Sequence, residues 1–371
     1  MYEIKRITET KEQAILVGLN PNPASFDTLV ELGELATTAG ADVVDRVVQR
    51  KDSLNPGTFL SRGKLDQLKK RAKAKEVDLV IFDDQLSPGQ SRNLEKMLEV
   101  KIVDRSELIL SIFAARARTR EARLQVELAQ LEYLLPRLTK MWGHLSRQQG
   151  GIGTRGPGET QLEVDRRAVR EKIAFLKKKL QSVEKERQVQ RARRRDFHRT
   201  ALVGYTNAGK STLMNSLTGA GVLAENKLFA TLDATTRRYR FPEGEITLFS
   251  DTVGFIRKLP HHLVASFKST LEEVVEANLL LHVVDASSPT ASDQIEAVYG
   301  VLEELKSASI PTITVLNKAD QASETQITGL LAHNSGAIVT SAIDSKSLGE
   351  LRSMVQEKVK IFAASKQRGF A

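Results

Sequence analysis

The segment of this sequence whose residue types most clearly indicate a chemical function is a glycine-rich loop that ends in lysine and serine. It reads Gly-Tyr-Thr-Asn-Ala-Gly-Lys-Ser over residues 204–211, after a short apolar run and before a helix-like run. Such a loop lets backbone N–H groups surround phosphate groups at the N-terminus of a helix. Lys210 can reach the β- and γ-phosphates, and the hydroxyl of Ser211 can bind Mg²⁺. The pattern therefore predicts a nucleotide-phosphate site with Mg²⁺ as cofactor.

Two downstream segments have the residues expected to hold the magnesium ion and the third phosphate. Asp251 follows a short apolar run and opens the sequence Asp-Thr-Val-Gly, where its carboxylate can hold Mg²⁺ through water. Gly254, which ends that motif, lets a backbone N–H approach the γ-phosphate. Between this motif and the glycine-rich loop, Thr231 is the threonine that we expect to meet Mg²⁺ and the γ-phosphate. Thr235 and Thr236 compete with it for that role.

A third set of residues is suited to recognising the base. The sequence Asn-Lys-Ala-Asp, which ends at Asp320, follows another apolar run. A carboxylate can accept hydrogen bonds from N1–H and the exocyclic amine of guanine, and adenine would leave it unpaired. We expect Asn317 to brace the loop and Lys318 to lie along the base. Residues 340–342 would supply a backbone contact to the guanine carbonyl.

These motifs, in this order, predict a protein that binds GTP and hydrolyses it. The predicted catalytic residues are Lys210, Thr231 and Gly254, and the predicted metal ligands are Ser211 and Thr231. The predicted GTP-binding residues lie in five short segments and are Gly204, Tyr205, Thr206, Asn207, Ala208, Gly209, Lys210, Ser211, Phe229, Ala230, Thr231, Leu232, Asp233, Asp251, Thr252, Val253, Gly254, Asn317, Lys318, Ala319, Asp320, Ser341 and Ala342.

The elements that must position these residues indicate an α/β protein with three parts. In residues 1–105, apolar runs alternate with helix-like runs, which predicts a small parallel α/β subdomain. Residues 106–199 predict a basic helical hairpin. Residues 200–371 return to strand–helix alternation and predict a P-loop GTPase domain with a doubly wound, mostly parallel sheet.

The predicted hairpin is based on two apolar seams with heptad-like spacing. The seam residues are Leu124, Leu128, Leu131, Leu135 and Leu138 on one arm and Val169, Ile173, Leu176, Leu180 and Val183 on the other. We expect Pro136 to end or kink the first arm. Five glycines and a proline in residues 150–158 disfavour a helix there. A glycine-rich tip at about residues 143–160 is therefore predicted.

Charge and composition narrow the class of partner. The chain of 371 residues has a net charge of +9, and the stretch Lys101 to Thr200 holds 24 Lys and Arg against 12 Asp and Glu. Such a basic segment indicates either a polyanionic partner, above all nucleic acid, or a solvated helical face. The absence of cysteine excludes disulfides and thiolate metal sites. We expect a cytoplasmic protein without a signal peptide or membrane span.

Longer stretches of the sequence closely resemble the HflX family of ribosome-associated GTPases. They occupy residues 61–64, 86–94, 116–127, 150–160, 251–257 and 259–263. The resemblance implies an N-terminal parallel subdomain, a helical hairpin, a GTPase domain and binding to the large ribosomal subunit. In some members it also implies the splitting of stalled ribosomes or relief from ribosome-targeting antibiotics. Many bacterial members carry a further C-terminal domain, and we expect none after the last GTPase helix, near Leu348 to Phe362.

Two residues and the family resemblance together indicate how hydrolysis is controlled. Phe255 follows Gly254 at the position where Ras-like proteins place a water-orienting glutamine, so we expect a low intrinsic rate. The ribosome is the implied activator. Related P-loop GTPases with asparagine at the position of Asn207 use it to ligate K⁺, so K⁺ is a candidate cofactor. The alternative is that Asn207 only shapes the loop.

The predicted tip is the candidate contact with ribosomal RNA. Gly151 and Gly153 allow close backbone approach, and Arg147 and Arg155 offer phosphate contacts or stacking surfaces. We expect the tip of a monomeric protein to enter the peptidyl-transferase region of the large subunit. The alternative function is a GTP-regulated scaffold whose coiled-coil hairpin binds protein rather than RNA. A metabolic P-loop kinase is disfavoured by the guanine motif.

Overall fold

The computed structural model describes residues 11–20, 29–50, 54–138, 157–192, 196–219, 228–258 and 268–368. The chain divides into two compact units. The first unit comprises Met1–Ala115 and Val126–Lys178, and the second comprises Arg116–Gln125 and Lys179–Ala371. This division differs from the predicted parts 1–105, 106–199 and 200–371, which stay a prediction about domain organisation.

A four-stranded parallel sheet forms the centre of the first unit, with strand order β2-β1-β3-β4. Its strands are β1 (Gln13–Asn20), β2 (Asp42–Arg50), β3 (Leu79–Phe82) and β4 (Lys101–Asp104). The helices between and after them are α1 (Leu29–Ala39), α2 (Arg62–Ala74), α3 (Pro88–Leu98) and α4 (Arg105–Arg116). All four residues of β3 are buried, as expected for a parallel strand covered on both faces. The predicted small parallel sheet is confirmed.

Local sequence explains where α3 begins. Ser87 accepts a hydrogen bond from the Gln90 N–H, and the Gln90 side chain returns one to the Ser87 backbone, with Pro88 in the first turn. This reciprocal capping satisfies two N–H groups that a helix start leaves unpaired. The start of α3 at Pro88, directly after Ser87, therefore has a physical cause.

The segment predicted as a hairpin contains an additional helix. Helix α4 buries Leu108, Ile109, Ile112 and Phe113 and ends at Arg116, so it is separate from the first arm. The arms are α5 (Arg120–Leu138) and α6 (Pro157–Ala192). Each arm begins in one unit and ends in the other.

Ion pairs join the two arms. Glu127 pairs with Lys172 at 3.0 Å and Glu132 with Lys177 at 2.8 Å in the first unit. In the second unit, Arg187 near the end of α6 pairs at 2.7 Å with Glu121 near the start of α5. The end of one arm thus lies beside the start of the other, as in antiparallel helices. The seam residue Leu176 is buried.

Two proline positions show how the arms differ from the sequence prediction. Pro136 lies inside α5, two residues before its last residue. Pro157 is the first residue of α6, so residues 157–160 of the predicted tip are helical. Proline suits a first helical position, because its φ is already helical and its missing N–H has no partner to lose.

The second unit contains a six-stranded sheet with the order β10-β9-β8-β5-β7-β6. Its strands are β5 (His198–Gly204), β6 (Thr235–Arg240), β7 (Ile246–Asp251), β8 (Leu279–Asp285), β9 (Thr312–Asn317) and β10 (Ile338–Val339). Only the β6–β7 pair is antiparallel among the pairs of the described sheet. The predicted doubly wound, mostly parallel sheet is confirmed.

Helices pack against this sheet, and their apolar side chains form a hydrophobic core together with those of the strands. They are α7 (Lys210–Thr218), α8 (Lys268–Val275), α9 (Ala291–Glu304), α10 (Glu324–His333) and α11 (Gly349–Arg368), with a short 3-10 helix at Ser345–Leu348. Leu202, Leu281 and Val315 from three parallel strands pack with Leu213 of α7 and Leu351 of α11. Because the parallel strands end at one edge, the loops that follow them meet there, where α/β proteins place their ligands.

Candidate functional site

A cavity of about 360 Å³ lies in the second unit, among loops that follow the parallel strands. Its size falls within the range of roughly 300 to 1,000 Å³ that is common for ligand pockets. The lining residues come from all the predicted motifs: Thr206, Asn207, Gly209, Lys210, Ser211, Thr212, Phe229, Ala230, Thr231, Thr252, Gly254, Asn317, Lys318, Asp320, Gln321, Ser341, Ala342 and Ile343.

The loop before α7 has a conformation that requires glycine at two places. Gly204 has φ of +151°, and a Cβ there would lie 2.2 Å from the Val283 carbonyl oxygen. Gly209 has φ of +92°, and a Cβ there would lie 2.3 Å from Nδ2 of Asn317. The first contact brings the loop against β8, and the second lets the end of β9, at Asn317, approach it. Any side chain would separate these elements.

Lys210 lies at the base of the cavity in the first turn of α7. Its Nζ donates hydrogen bonds to the carbonyl oxygens of Gly204 at 3.1 Å and Tyr205 at 2.8 Å. Burial lowers the pKa of Lys210 to about 8, and the charge of Asp251 opposes part of that decrease. The ammonium group is therefore poorly solvated, which favours its binding to an anion such as phosphate.

Three oxygen-bearing side chains come together beside Lys210. The Ser211 hydroxyl donates to Oδ2 of Asp251 at 2.6 Å, and the Thr231 hydroxyl lies 2.9 Å from Ser211 Oγ and 3.2 Å from the same carboxylate oxygen. Burial raises the pKa of Asp251, while these hydroxyls and Lys210 oppose the change. Oδ1 of Asp251 is buried and has no hydrogen-bond partner among the described residues.

This cluster has the donor set that magnesium prefers. Mg²⁺ binds oxygen ligands and is usually held by few protein groups together with phosphate oxygens and water. Two adjacent hydroxyls and an unsatisfied buried carboxylate oxygen fit such an ion. The described residues contain no group of three or more His, Cys, Asp or Glu that could hold a metal alone, so the predicted magnesium site relies on hydroxyls.

The two threonines that compete with Thr231 lie elsewhere. Thr235 begins β6 and is opposite Asp251 in the antiparallel register, and neither it nor Thr236 lines the cavity. The Thr236 hydroxyl lies 2.9 Å from Ser250 Oγ. The geometry favours Thr231, whose hydroxyl contacts Ser211 directly.

The loop that contains Gly254 is joined to the glycine-rich loop. Phe255 donates its N–H to the Gly204 carbonyl at 3.1 Å, and its carbonyl accepts from the Thr206 N–H at 2.7 Å. Its side chain is buried and does not line the cavity, so it cannot orient water there. A Cβ on Gly254 would lie 2.6 Å from Thr206 Cα and 3.0 Å from Lys210 Nζ.

The residues predicted to recognise the base are braced by hydrogen bonds. Asn317 Nδ2 donates to the Ala208 carbonyl at 2.9 Å, and its Oδ1 accepts from the Ala342 N–H at 2.9 Å. These bonds connect the loop after β9 with the loops that follow β5 and β10. The predicted bracing role of Asn317 agrees with this geometry.

Lys318 and Asp320 each have a partner that fixes them. Lys318 has φ of +60°, and its Nζ lies 2.6 Å from Oδ2 of Asp285 at the end of β8. Ser341 donates to Oδ1 of Asp320 at 2.5 Å. That bond, with smaller contributions from Gln321 and Lys318, lowers the pKa of Asp320. The carboxylate is thus ionised and acts only as an acceptor.

Most predicted site residues line the cavity, and several do not. The predicted residues outside its lining are Gly204, Tyr205, Ala208, Leu232, Asp233, Asp251, Val253 and Ala319. Asp233 instead contacts the segment before α5. The RNA-contact residues Arg147, Gly151, Gly153 and Arg155 lie outside the described residues, and their role stays a prediction.

Sequence reasoning missed three lining residues and one supporting residue. Thr212 and Gln321 directly follow motif residues and had no distinctive signal of their own. Ile343 is 75% exposed at the cavity edge, and a large apolar side chain after the Ser-Ala pair was an available clue. Asp285, the partner of Lys318, could have been suspected from its place at the end of an apolar strand.

Three protein-family models match the chain one after another. One described as the N-terminal region of GTP-binding GTPases matches residues 27–114, and one described as their middle region matches residues 116–194. A third, described as 50S ribosome-binding GTPase, matches residues 199–318.

No described helix is long and apolar enough to cross a membrane.

Individual relatives agree with these matches. GTPase HflX of Caldanaerobacter subterraneus subsp. tengcongensis is 53% identical over 319 residues, which is 85% of this chain and 74% of the relative. GTPase HflX of Escherichia coli strain K12 is 48% identical over 312 residues, 83% of this chain and 73% of the relative. The crystal structure of SsGBP in complex with GDP has 25% sequence identity and a TM-score of 0.51, covering 95% of this chain and 99% of that one. With identity at this level across the N-terminal, middle and GTPase regions, the chain belongs to the HflX family of GTPases.

Proposed function

We propose that this GTPase binds the large ribosomal subunit in its GTP state and hydrolyses GTP when the subunit completes its site. The observation that carries the nucleotide part is one cavity lined by Lys210, Ser211, Thr231 and Asp320. Phosphate, magnesium and guanine groups require these chemistries in one place. A ribosomal partner would place the protein in the cytoplasm, and we propose that it acts there as a monomer.

Each predicted catalytic residue has a specific task in this proposal. The Lys210 ammonium would exchange its carbonyl acceptors for phosphate oxygens, since charge-assisted hydrogen bonds are stronger than neutral ones. The Gly254 N–H would approach the γ-phosphate, and the absence of a Cβ permits this. Ser211 and Thr231 would hold Mg²⁺, with Asp251 behind them. When bound, Mg²⁺ supplies charge neutralisation for the phosphates.

Hydrolysis needs one function that the described residue after Gly254 does not supply. A water molecule must be oriented for attack on the γ-phosphate, and the buried Phe255 has no polar group to do so. We therefore propose that ribosomal contact supplies or orders this element. A low rate without ribosomes and a higher rate with them is the expected behaviour.

Charge on the second arm supports an RNA partner. Helix α6 has exposed basic side chains at Arg167, Arg170, Lys178 and Lys185, within the stretch that carries the chain's basic surplus. Basic side chains on one helix suit contacts to RNA phosphates. Because the matching family model is described as 50S ribosome-binding GTPase, we take the RNA of the large subunit as the partner.

The finer role that we propose concerns the segment between α5 and α6. We propose that residues 143–160, including Arg147, Gly151, Gly153 and Arg155, enter the peptidyl-transferase region. An occupant there would displace a tRNA end or an antibiotic. Rescue of stalled ribosomes by splitting and protection from drugs would both follow from that displacement.

Co-sedimentation of the full chain with purified large subunits tests the ribosomal proposal. We expect binding with a non-hydrolysable GTP analogue, weaker binding with GDP, and faster GTP hydrolysis when subunits are present. Failure to sediment in either nucleotide state would refute the ribosomal proposal and leave the protein-binding scaffold as the better candidate.

A second variant separates the tip from the nucleotide site. In it, residues 150–158 are replaced by a Gly/Ser linker of the same length, which should leave GTP affinity unchanged. We expect it to lose RNA protection footprints around the peptidyl-transferase centre. Footprints that match those of the unaltered chain would contradict the proposed role of the tip.

A further inference from the structure

The carboxylate of Asp233 holds the start of helix α5. It accepts hydrogen bonds from the N–H groups of Arg118 and Thr119, each at 3.2 Å, and from the Thr119 hydroxyl. The three donors lie more than 110 positions earlier in the sequence, and all belong to the second unit. Asp233 was predicted to bind nucleotide, and its contacts in the structure are instead with this segment.

Thr119 makes this contact specific to the helix start. Its Oγ1 accepts a hydrogen bond from the Ala122 N–H at 3.1 Å, and its carbonyl accepts from the Arg123 N–H at 3.1 Å. Thr119 is therefore the N-cap residue of α5, and its hydroxyl hydrogen is donated to Asp233. A carboxylate at a helix N-terminus is also favoured by the helix dipole. Asp233 and the cap stabilise each other.

The same carboxylate is close along the chain to the magnesium cluster. Thr231, which contacts Ser211 and Asp251, is two residues before Asp233. Leu232 between them is buried, and Thr235, two residues after Asp233, is paired in register with Asp251. Two residues of chain extend about 7 Å at most. Movement of Thr231 relative to α5 is therefore limited by Asp233.

We propose that Asp233 is a positioning residue for GTP. By binding Thr119 it holds Thr231 where its hydroxyl can meet Mg²⁺ and the γ-phosphate. This inference rests on the role proposed above for Thr231. Since GDP lacks the γ-phosphate, the contact favours GTP over GDP. Coupling between two sites is reciprocal, so GTP binding in turn stabilises the contact between Asp233 and the cap of α5.

A purely structural cap gives different expectations. If Asp233 only stabilised α5, its loss would lower the stability of the protein and alter affinity for GTP and GDP alike. A positioning role alters the ratio of the two affinities. The ratio is therefore the deciding measurement, and overall stability is not.

The test compares affinities for GDP and a non-hydrolysable GTP analogue, with Mg²⁺, in the full chain. Asp233→Asn and Thr119→Val each remove part of the contact, and we expect each to weaken analogue binding roughly fivefold while GDP affinity changes less than about twofold. Thr119→Ser keeps the hydroxyl and should retain the normal ratio. Glu303→Gln, an exposed carboxylate on α9, is the matched control and should leave both affinities unchanged. An unchanged ratio in Asp233→Asn and Thr119→Val overturns the inference.

Two further measurements separate this inference from the proposed function. Thr231→Val should change the ratio at least as much as Asp233→Asn. If it does and the other two variants do not, only the Asp233 inference fails; if Thr231→Val has no effect, the role of Thr231 fails and the inference with it. In the unaltered chain, hydrogen exchange at the Arg118 and Thr119 amides should be slower with the analogue than with GDP. Equal exchange contradicts the reciprocal coupling.

Discussion

The Ser341 hydroxyl donates a 2.5 Å hydrogen bond to Oδ1 of Asp320, the carboxylate assigned to guanine recognition. This bond is the main reason that the pKa of Asp320 lies below its usual value. An ionised carboxylate only accepts hydrogen bonds, which matches the two N–H donors on the guanine edge. Ser341 therefore fixes the position of the carboxylate that we propose selects the base, and favours its ionised form.

Asp320→Asn should change the nucleotide preference from GTP towards xanthosine triphosphate. The amide can donate where the carboxylate only accepts, and xanthine presents an acceptor in place of the guanine amine. We expect GTP affinity to fall on the order of 100-fold, because the bond from the exocyclic amine is lost and the bond from N1–H no longer goes to a charged group. Titration with both nucleotides measures the change. Unchanged GTP affinity would remove Asp320 from the guanine site.

Gly254→Ala should prevent the GTP state while leaving the fold intact. The added Cβ would lie 2.6 Å from the backbone of Thr206, so the two loops must separate and the N–H proposed for the γ-phosphate must move. We expect GTP-analogue affinity to fall at least about tenfold, as for loss of a hydrogen bond to a charged group, with a smaller effect on GDP. Equilibrium binding to both nucleotides measures this difference.

Gly300→Ala is the matched control for that substitution. Gly300 lies inside α9, and a Cβ there would meet nothing within 4 Å. It should leave both affinities unchanged and stabilise the protein by about 0.5 to 1 kcal/mol, because alanine is the better helix former. If both variants bind the GTP analogue normally, the close approach of Gly254 to Thr206 is not needed for GTP binding.

The buried Lys210 should give the nucleotide-free protein a distinctive pH dependence. Its pKa is about 8 in the folded chain and 10.5 ordinarily, so between these values the unfolded chain binds more protons. The free energy of unfolding therefore rises with pH across that window. Relative to Lys210→Met, the unaltered protein should gain up to about 3 kcal/mol between pH 8 and 10.5 and show a constant difference below pH 8. Urea unfolding at several pH values measures this; parallel profiles above pH 8 would contradict the lowered pKa.

The sequence predicted the elements whose signals are local. The glycine-rich loop from Gly204 to Gly209 lies between a strand and a helix as predicted, and the helix begins at Lys210, within the motif. The parallel sheets followed from alternation of apolar strands with helices. Thr231 was the expected threonine, and its contact with Ser211, which a sequence pattern does not contain, further separates it from its two competitors.

Features that depend on contacts between residues far apart in the chain could not be predicted from sequence patterns. The antiparallel strand β6 has three residues among six that are both charged and exposed, and it lacks an apolar run, because among the described strands it lies at the sheet edge and pairs with β7. The break between α4 and α5 contains no proline or glycine and is fixed by the cap at Thr119. Its partner Asp233 is 114 positions away, and no spacing rule connects residues at that separation.

Asn207 has two possible roles, K⁺ ligation and shaping of the glycine-rich loop, and substitutions of its side chain can separate them. It lines the cavity and has φ of +63°, a conformation that asparagine tolerates better than most residues, so its presence alone fits a loop-shaping role. Asn207→Gly keeps that backbone conformation accessible and removes the amide oxygen, whereas Asn207→Asp keeps an oxygen ligand.

If Asn207 ligates K⁺, the unaltered chain should hydrolyse GTP at least about tenfold faster in K⁺ than in Na⁺, since a cation near the phosphates stabilises charge in the transition state. Asn207→Gly should lose this difference and Asn207→Asp should retain part of it. The measurement is the single-turnover rate at equal ionic strength, with and without large ribosomal subunits. Equal rates in both salts for the unaltered chain would exclude potassium activation. A potassium effect that survives in Asn207→Gly would show that the ion binds without this side chain, and Asn207 would then only shape the loop.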